Sequence, residues 1–398
     1  MDQDRSLSIE TKRIKVGTTF DFDLTDKFGR VVLKAGRTFD EVIRTRMLAA
    51  GVETVTISVM PDQESKTRFL LDCYPLESVL ALQNILAQTE QGLQAFVEDT
   101  LKGRRTECNM LRNQLDRFLG GVADDTATAL GVLAARWSSN PQQPDASKLI
   151  ARSTRLAWLA MITGVEMGLE PSELVAIGLA GLLHDCAWFV HPEWRDPVFR
   201  SERREEFVAA YQRHPFESIE MLSSTTGLGQ NVLYMIAQLH EQSNGSGYPR
   251  GLRASQILPA ARILNVVDAY LEIVDPTFRK NGIVPADALG QICFHAVLGV
   301  FDREAVRCFV DTLSAYPVGS EVDLDDSRRA IVIRSNPGKP LEPVVRLLDG
   351  PNEVTDLLNA KIRIDAPTPG GPSFRRLQRE KEMGIPFWDA TALLDPEE

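Results

Sequence analysis

The chain has 398 residues, a formal net charge of −11 and five widely spaced cysteines. This length suits two or three domains, and the acidic balance argues against broad electrostatic binding to DNA, RNA or an anionic membrane surface. The sequence contains no apolar run of 18 residues and no apolar core near its start. We therefore expect no membrane span and no secretory leader, and we predict a cytoplasmic protein with reduced thiols.

The first part of the chain predicts a small unit followed by a helical connector. Residues 12–58 alternate apolar and polar side chains around turn signals and include one short helical pattern, which predicts a small α/β domain. The polar stretch 60–68 predicts a linker. Residues 75–147 carry apolar side chains at helical spacing and end in a loop at 138–147, so we predict a helical connector.

The rest of the chain predicts a larger helical domain with β structure after it. Residues 148–315 read as a succession of helices. Residues 316–365 are predicted to be a β-containing extension, with a short hairpin centred on the alternating pattern of 316–348. Residues 366–398 are rich in proline and glycine and then charged, which is typical of a flexible tail. The predicted fold class is mainly α, with small β-containing units at both ends.

Five side chains of this helical domain combine imidazoles and carboxylates near apolar helices. His184 and Asp185 follow an apolar run, and His240 ends another. His214 precedes a proline, which predicts the first turn of a helix. Asp268 lies inside an apolar helix, where an unpaired carboxylate would be costly to bury. Imidazole and carboxylate together suit a divalent transition metal. A carboxylate shared by two ions about 3.5–4 Å apart would allow water to attack phosphorus.

Each of these side chains also has a structural interpretation when it is taken alone. His184 and His240 could cap the last carbonyls of helices, where positive charge is favoured. His214 could be an exposed residue beside proline, and Asp268 could bond a neighbouring helix end. It is the ordered set that favours a functional site over these separate explanations.

The ordered set resembles the HD-GYP family of cyclic di-GMP phosphodiesterases. The matching segments are "HD" at 184–185, "HP" at 214–215, "HEQSNGSGYP" at 240–249 and "VVDAY" around Asp268. The resemblance covers 148–315 and implies an HD-type helical bundle there. The flanks agree with it, because 12–58 is similar to the small N-terminal domain often attached to such domains.

The resemblance also implies roles for individual residues. It implies that His184 and Asp185 are catalytic. It also implies that one or two ions, Fe or Mn, are bound by five ligands, which are His184, Asp185, His214, His240 and Asp268. In the family arrangement, one ion would retain His184, Asp185 and Asp268 as its ligands. The other would keep Asp185, His214 and His240. The loop of Gly247, Tyr248 and Pro249 would border the substrate and a signalling protein partner.

Several positions depart from the family pattern. Arg152 stands where the family usually has a histidine ligand, Leu239 replaces another, and Trp188 replaces a lysine that contacts phosphate. Asn244 replaces an aspartate of the loop. Two roles for Arg152 stay open, because its charge could repel a metal ion or could supply the missing phosphate contact. His191 and His295 match no ligand position, and we interpret both as structural.

Two functions therefore remain open. The first is metal-dependent hydrolysis of cyclic di-GMP in bacterial signal transduction, with activity reduced by the lost residues. The alternative is an inactive regulatory module that binds cyclic di-GMP or a protein partner, in either case as a monomer or a homo-oligomer.

Overall fold

The computed structural model describes residues 5–59, 70, 73–135, 145–195, 203–274, 285–348 and 353–367, except 15, 21, 22, 35 and 36. Most of this described part is helical, with a small sheet before the helices and a second sheet after them. The helices are α1 (Glu41–Ala49), α2 (Leu76–Leu101), α3 (Asn109–Asp124), α4 (Thr126–Ala135), α5 (Asp145–Glu166), α6 (Pro171–Leu183), α7 (Ala187–Val190), α8 (Arg204–Met221), α9 (Gln230–Gln238), α10 (Pro259–Val274), α11 (Pro285–Val297) and α12 (Arg303–Leu313). The mainly α fold class is confirmed.

The N-terminal unit consists of short antiparallel strands and α1. Its strands are β1 (Arg5–Glu10), β2 (Thr18–Thr19), β3 (Leu24–Thr25), β4 (Val31–Leu33), β5 (Thr38–Phe39) and β6 (Thr54–Val59). Four of them form a sheet in the order β1-β6-β3-β4, and β2 pairs with β5. Helix α1 begins where the Asp40 side chain accepts a hydrogen bond from the Ile43 N–H at 2.7 Å. The β-rich character expected for this unit is confirmed.

The helical core is organised around the antiparallel contact of α5 and α6. Helix α6 is apolar on every side, and all residues from Leu174 to Leu183 are buried. It contacts α3, α5, α9 and α10. The stretch Pro171–Val190 is long and apolar enough to cross a membrane, but 83% of its most apolar window is buried inside the protein, as in a core helix. A bent pair, Asn109–Ala123 with Thr126–Ala135, also passes the same test of length and composition.

The C-terminal sheet is larger than the hairpin that the sequence predicts. Its strands are β7 (Glu321–Leu324), β8 (Arg329–Arg334), β9 (Val344–Leu347), β10 (Val354–Asp356) and β11 (Ile364–Pro367), in the order β10-β9-β8-β7-β11. The β7–β8 hairpin is present at its centre. Strand β9 does not alternate buried and exposed residues, because three of its four residues are buried. A search for alternating residues therefore does not detect it.

A buried hydrogen bond helps to join this sheet to the helical core. The Tyr74 hydroxyl donates to the Ile333 carbonyl of β8 at 2.6 Å, and both groups are buried. The Tyr74 ring fits against α4, because a Cβ at Gly131 would lie 2.4 Å from the ring Cε2 atom. The predicted linker at 60–68 lies outside the described residues, and so does the predicted tail 366–398 beyond its first two residues. Ala366 and Pro367 pair with β7 as the end of β11, so the predicted start of the tail is wrong by two residues.

Candidate functional site

The five predicted side chains come together in one buried cluster. Their positions are the ends of α6 and α9, the middle of α8 and the interior of α10. The contacts are His184 Nε2–Asp185 Oδ2 at 3.0 Å, His184 Nε2–Asp268 Oδ1 at 3.8 Å, His214 Nε2–Asp185 Oδ1 at 3.4 Å, His240 Nε2–His214 Nε2 at 3.1 Å and His240 Nδ1–Asp268 Oδ2 at 3.7 Å. Only tertiary packing can bring these separated segments together.

The end of α6 orients His184. Its Nδ1 atom lies 2.9 Å from the Gly181 carbonyl, so Nδ1 donates there and Nε2 faces the cluster. Gly181 also sets how closely α6 approaches α5, because a Cβ at this position would lie 2.8 Å from the Cα atom of Ala157. Close packing of the two helices thus places both His184 and the neighbouring Asp185.

The proline after His214 does not begin a helix, and the prediction that it does is wrong. Helix α8 runs from Arg204 to Met221 with Pro215 inside it. Proline has no N–H, so the Tyr211 carbonyl four residues earlier lacks its usual helical donor. The His214 Nδ1 atom donates to that carbonyl in a short contact. The proline therefore leaves the Tyr211 carbonyl free to accept from Nδ1 of His214. This bond orients the ring so that Nε2 points toward the cluster.

Arg152 of α5 lies inside the cluster, with 2% of the residue exposed. Its Nη2 atom donates to Asp268 Oδ1 at 2.6 Å, and its Nη1 atom donates to Asp185 Oδ2 at 3.3 Å. The same Nη1 atom is 3.4 Å from His184 Nε2. The guanidinium thus contacts the three side chains that the family arrangement assigns to one ion.

Two further side chains complete the cluster, and the sequence analysis did not identify them. Glu272 lies one turn after Asp268 on α10, with its Oε1 atom 3.9 Å from Arg152 Nη2. The Tyr211 hydroxyl donates to the same Oε1 atom at 2.7 Å. A second acid four residues after Asp268 in an apolar helix falls on the same helix face. That spacing was the available signal.

The pKa directions separate the histidines into two kinds. Burial alone would lower the pKa of His184, but the Asp185 carboxylate and its hydrogen bond raise it above the ordinary value. Burial lowers the pKa of His214, and burial together with the neighbouring histidines holds the pKa of His240 well below 6.5. His214 and His240 are therefore neutral near pH 7, which is the form that binds metals.

The carboxylates also differ in pKa. Although burial favours the neutral form, contact with His184 and Arg152 holds the pKa of Asp185 well below its ordinary value. Burial and the Asp268 charge raise the pKa of Glu272 to about 7. The cluster thus holds ionised Asp185 beside a glutamate that ionises near neutral pH.

The loop of Gly247, Tyr248 and Pro249 borders the cluster. The Tyr248 ring stacks on His240, with ring centroids 4.9 Å apart and planes at 15°. Gly247 is required here because a Cβ would lie 2.3 Å from the Gln242 nitrogen. The Glu241 carboxylate accepts from the backbone N–H groups at 250 and 252, which fixes the far side of the loop.

Three further aromatic or imidazole side chains are structural. Trp188 is buried and meets Trp194 and His214 edge-on, so it fills an aromatic core and does not present a face to a base. His191 is partly exposed and pairs with Glu193 at 3.2 Å. His295 bonds the Gln291 carbonyl of its own helix. The two histidines lie outside the cluster, as predicted.

The cluster does not fit a pair of metal ions. In the described part of the chain, no set of three or more His, Cys, Asp or Glu side chains is arranged as a metal site. The reason on one side of the cluster is Arg152, which contacts all three groups of the first ion. On the other side, His214 Nε2 and His240 Nε2 lie 3.1 Å apart. Two nitrogens each about 2.1 Å from one ion are separated by about 3 Å, so this side has the donor chemistry of a single ion.

Comparison with known proteins finds a family match for the segment that contains the cluster. Residues 143–305 match the sequence model of the HD domain family. The chain is 30% identical over 257 residues to cyclic di-GMP phosphodiesterase PA4108 of Pseudomonas aeruginosa, which is 60% of this chain and 61% of that protein. It is 24% identical to cyclic di-GMP phosphodiesterase PdeB of Borreliella burgdorferi, over 52% of this chain and 54% of that protein. The chain thus spans less than two thirds of either relative.

A solved structure is also similar. Bd1817, an HDG"Y"P protein from Bdellovibrio bacteriovorus, superposes with a TM-score of 0.48 and 18% sequence identity, covering 78% of this chain and 99% of that one.

Proposed function

We propose that the protein hydrolyses cyclic di-GMP, because residues 143–305 match the HD domain family and two similar proteins are named cyclic di-GMP phosphodiesterases, in agreement with the motifs of this chain. The observation that carries this proposal is the convergence of His184, Asp185, His214, His240 and Asp268 in one cluster. Addition of one water to phosphorus and cleavage of one P–O bond would give the linear dinucleotide, and a second hydrolysis of the remaining phosphodiester would give two GMP.

We propose that Asp185, His214 and His240 bind one divalent transition metal, Fe or Mn. These three side chains would have to move closer together around the ion, because the described residues contain no set of three donors already arranged as a metal site. Two neutral imidazoles and an ionised carboxylate are a suitable donor set for either metal. When bound, such an ion polarises a phosphoryl oxygen and lowers the pKa of water.

The chain's own residues supply the remaining chemistry. Asp185 lies between His184 and His214, at 3.0 and 3.4 Å, so its carboxylate orients both rings. Of the three histidines, only His184 has a raised pKa. We therefore assign it as the group that donates a proton to the leaving oxygen. Arg152 offsets the negative charge of Asp185 and Asp268, which reduces the repulsion that a phosphodiester would meet. We keep a direct contact between Arg152 and phosphate as part of the proposal, although it would compete with the Asp268 bond.

The proposed setting follows the same resemblance. We propose a cytoplasmic bacterial signalling protein that binds cyclic di-GMP, with the loop of Gly247, Tyr248 and Pro249 facing the substrate or a signalling partner. The stacking of Tyr248 on His240 supports this, because movement of the loop would change the surroundings of a cluster histidine. A homo-oligomer remains part of the proposal. Binding to nucleic acid is not expected at a net charge of −11.

A hydrolysis assay tests the proposal. Purified chain is incubated with cyclic di-GMP and Mn²⁺, or with Fe²⁺ under anaerobic conditions, and products are separated by chromatography. We expect slow formation of linear dinucleotide or GMP, lost in Asp185→Asn. His191→Asn is the matched control, because this histidine lies outside the cluster and should leave the rate unchanged. Binding of cyclic di-GMP without any product would instead favour the regulatory module.

A further inference from the structure

We propose that Arg152 is a built-in cation that takes the place of one of the two metal ions, so that the cluster holds at most one ion. The inference deepens the proposed function and rests on it for the assignment of the cluster as a phosphodiesterase site. It assigns Tyr211 and Glu272 the task of positioning the arginine.

The contacts of the guanidinium are those that an ion would make. Arg152 reaches Asp268 at 2.6 Å, Asp185 at 3.3 Å and His184 at 3.4 Å. An ion bound by the same three groups would need to lie about 2.0–2.2 Å from each donor atom. It would then overlap the guanidinium nitrogens, so arginine and ion exclude each other on this side.

The charge of the cluster agrees with this exclusion. A guanidinium stays protonated in proteins, so its single positive charge cannot be removed by a change of pH. Asp185 and Asp268 both accept hydrogen bonds from it, and every member of this buried group is at least nine-tenths buried. Addition of a divalent ion beside this fixed cation would meet repulsion in a medium where charges are poorly screened.

Glu272 and Tyr211 help to position the guanidinium of Arg152. The Glu272 Oε1 atom is 3.9 Å from Arg152 Nη2, and the Tyr211 hydroxyl fixes that same oxygen at 2.7 Å. Tyr211 lies on α8 one turn before Pro215, so the same segment orients His214 and secures the carboxylate behind Arg152. The same segment of α8 therefore positions groups on both sides of the cluster, the side with Arg152 and the side with His214.

Metal counting tests the inference without any use of catalysis. The full chain is loaded with excess Mn²⁺ or Fe²⁺, freed of weakly bound metal and measured by elemental analysis. We expect wild type to hold no more than one ion per chain. In Arg152→His, which removes the guanidinium and adds a metal-binding imidazole, we expect one more ion than in wild type. Arg152→Lys keeps a positive charge and should match wild type.

A matched control uses the same helix. Arg155→His makes the same exchange at a buried arginine that bonds the Ala151 carbonyl, so it should add no ion. Thermal melting gives a second readout, since added Mn²⁺ should raise the melting temperature of Arg152→His more than that of wild type. If Arg152→His does not fold, Arg152→Gln takes its place in both measurements.

The outcomes separate this inference from the proposed function. Two tightly held ions in wild type would overturn it, and so would a folded Arg152→His with no added ion and no metal-dependent gain in melting temperature. A chain that shows the expected counts but cleaves no cyclic di-GMP keeps the inference and loses the proposed function. Hydrolysis by a wild-type chain that holds two ions would support the proposed function and overturn the inference.

Discussion

At the scale of single residues, the cluster is a compact balance of buried charges. Arg152 is shared by Asp185, Asp268 and Glu272, and none of these side chains is more than 12% exposed. Removing one member of a buried ion pair leaves the others uncompensated, which costs more than the pair itself contributes. The stability of the domain therefore depends on the site residues.

The first prediction concerns the loss of the guanidinium. Arg152→Ala leaves Asp185 and Asp268 without their shared cation, and we expect the free energy of unfolding to fall by about 3–5 kcal/mol. Urea denaturation followed by circular dichroism measures the change. Arg155→Ala, on the same helix but outside the cluster, should lose clearly less, and equal losses would argue against a special role for Arg152.

The second prediction concerns the pH dependence of stability through Glu272. Its pKa is raised from 4.5 to about 7 in the folded chain. The folded state therefore binds a proton more tightly, and the stability that this gives is complete below about pH 4.5 and is lost as the pH rises through 7. We expect wild type to lose more stability than Glu272→Gln between pH 5 and pH 8.

Denaturation midpoints at several pH values check this second prediction. Glu220→Gln removes an exposed glutamate from α8 and should follow wild type across the range. A Glu272→Gln variant whose midpoint falls as steeply as that of wild type would contradict the prediction, because it would show that protonation of Glu272 does not contribute to stability over this range.

At the scale of secondary structure elements, close packing of α5 against α6 positions His184 and Asp185. The third prediction is that Gly181→Ala lowers stability by about 1–3 kcal/mol, because its Cβ would meet the Ala157 backbone. Gly178→Ala is a matched control one turn earlier, where the nearest atom is the flexible Met161 sulfur. We expect a smaller loss there, and the reverse order would contradict the role of this helix contact.

The fourth prediction concerns the proline in α8. Pro215→Ala restores an N–H that can bond the Tyr211 carbonyl, in competition with His214 Nδ1. Loss of a partner that orients a metal ligand typically reduces affinity about 10–100-fold. We expect weaker Mn²⁺ binding by calorimetry, together with equal or higher stability of the helix. Unchanged Mn²⁺ affinity would show that His214 needs no help from the proline.

The elements also show what the sequence can predict. The five cluster side chains could be identified because their order along the chain resembles the motifs of the HD-GYP family, whereas each of them taken alone had a structural interpretation. The start of α8 could not, since an N-terminal proline and a proline inside a helix look alike until the donor to Tyr211 is known. Glu272 was missed because its meaning depends on Arg152, which is 120 residues earlier and meets it only in the folded chain.

At the scale of the whole molecule, one apolar core extends through both the N-terminal unit and the helices. Buried side chains such as Phe39 and Val55 belong to the same continuous cluster as those of α5 and α6. The side chains of the C-terminal sheet form a separate cluster. The N-terminal unit thus contributes to the main core.

The fifth prediction tests the proposed domain division at 12–58. Limited proteolysis followed by mass spectrometry should cut first within the polar stretch 60–68, and the remaining fragment should retain the cluster and its bound metal. Because the apolar core is shared, we expect that fragment to unfold at a lower temperature than the full chain. Loss of the metal together with the N-terminal unit would contradict the division.

The bond between Tyr74 and Ile333 has a consequence for synthesis on the ribosome. The two residues are 259 positions apart, so at about 5–20 residues per second the acceptor emerges roughly 13–52 s after the donor. During this interval α4, which contacts β8 in the finished protein, has no sheet against it. The face of α4 that packs on β8 therefore stays uncovered until the strands of the sheet, which follow the helices in the chain, have been translated. Slow codons or a chaperone acting late in translation would affect that docking step before any other.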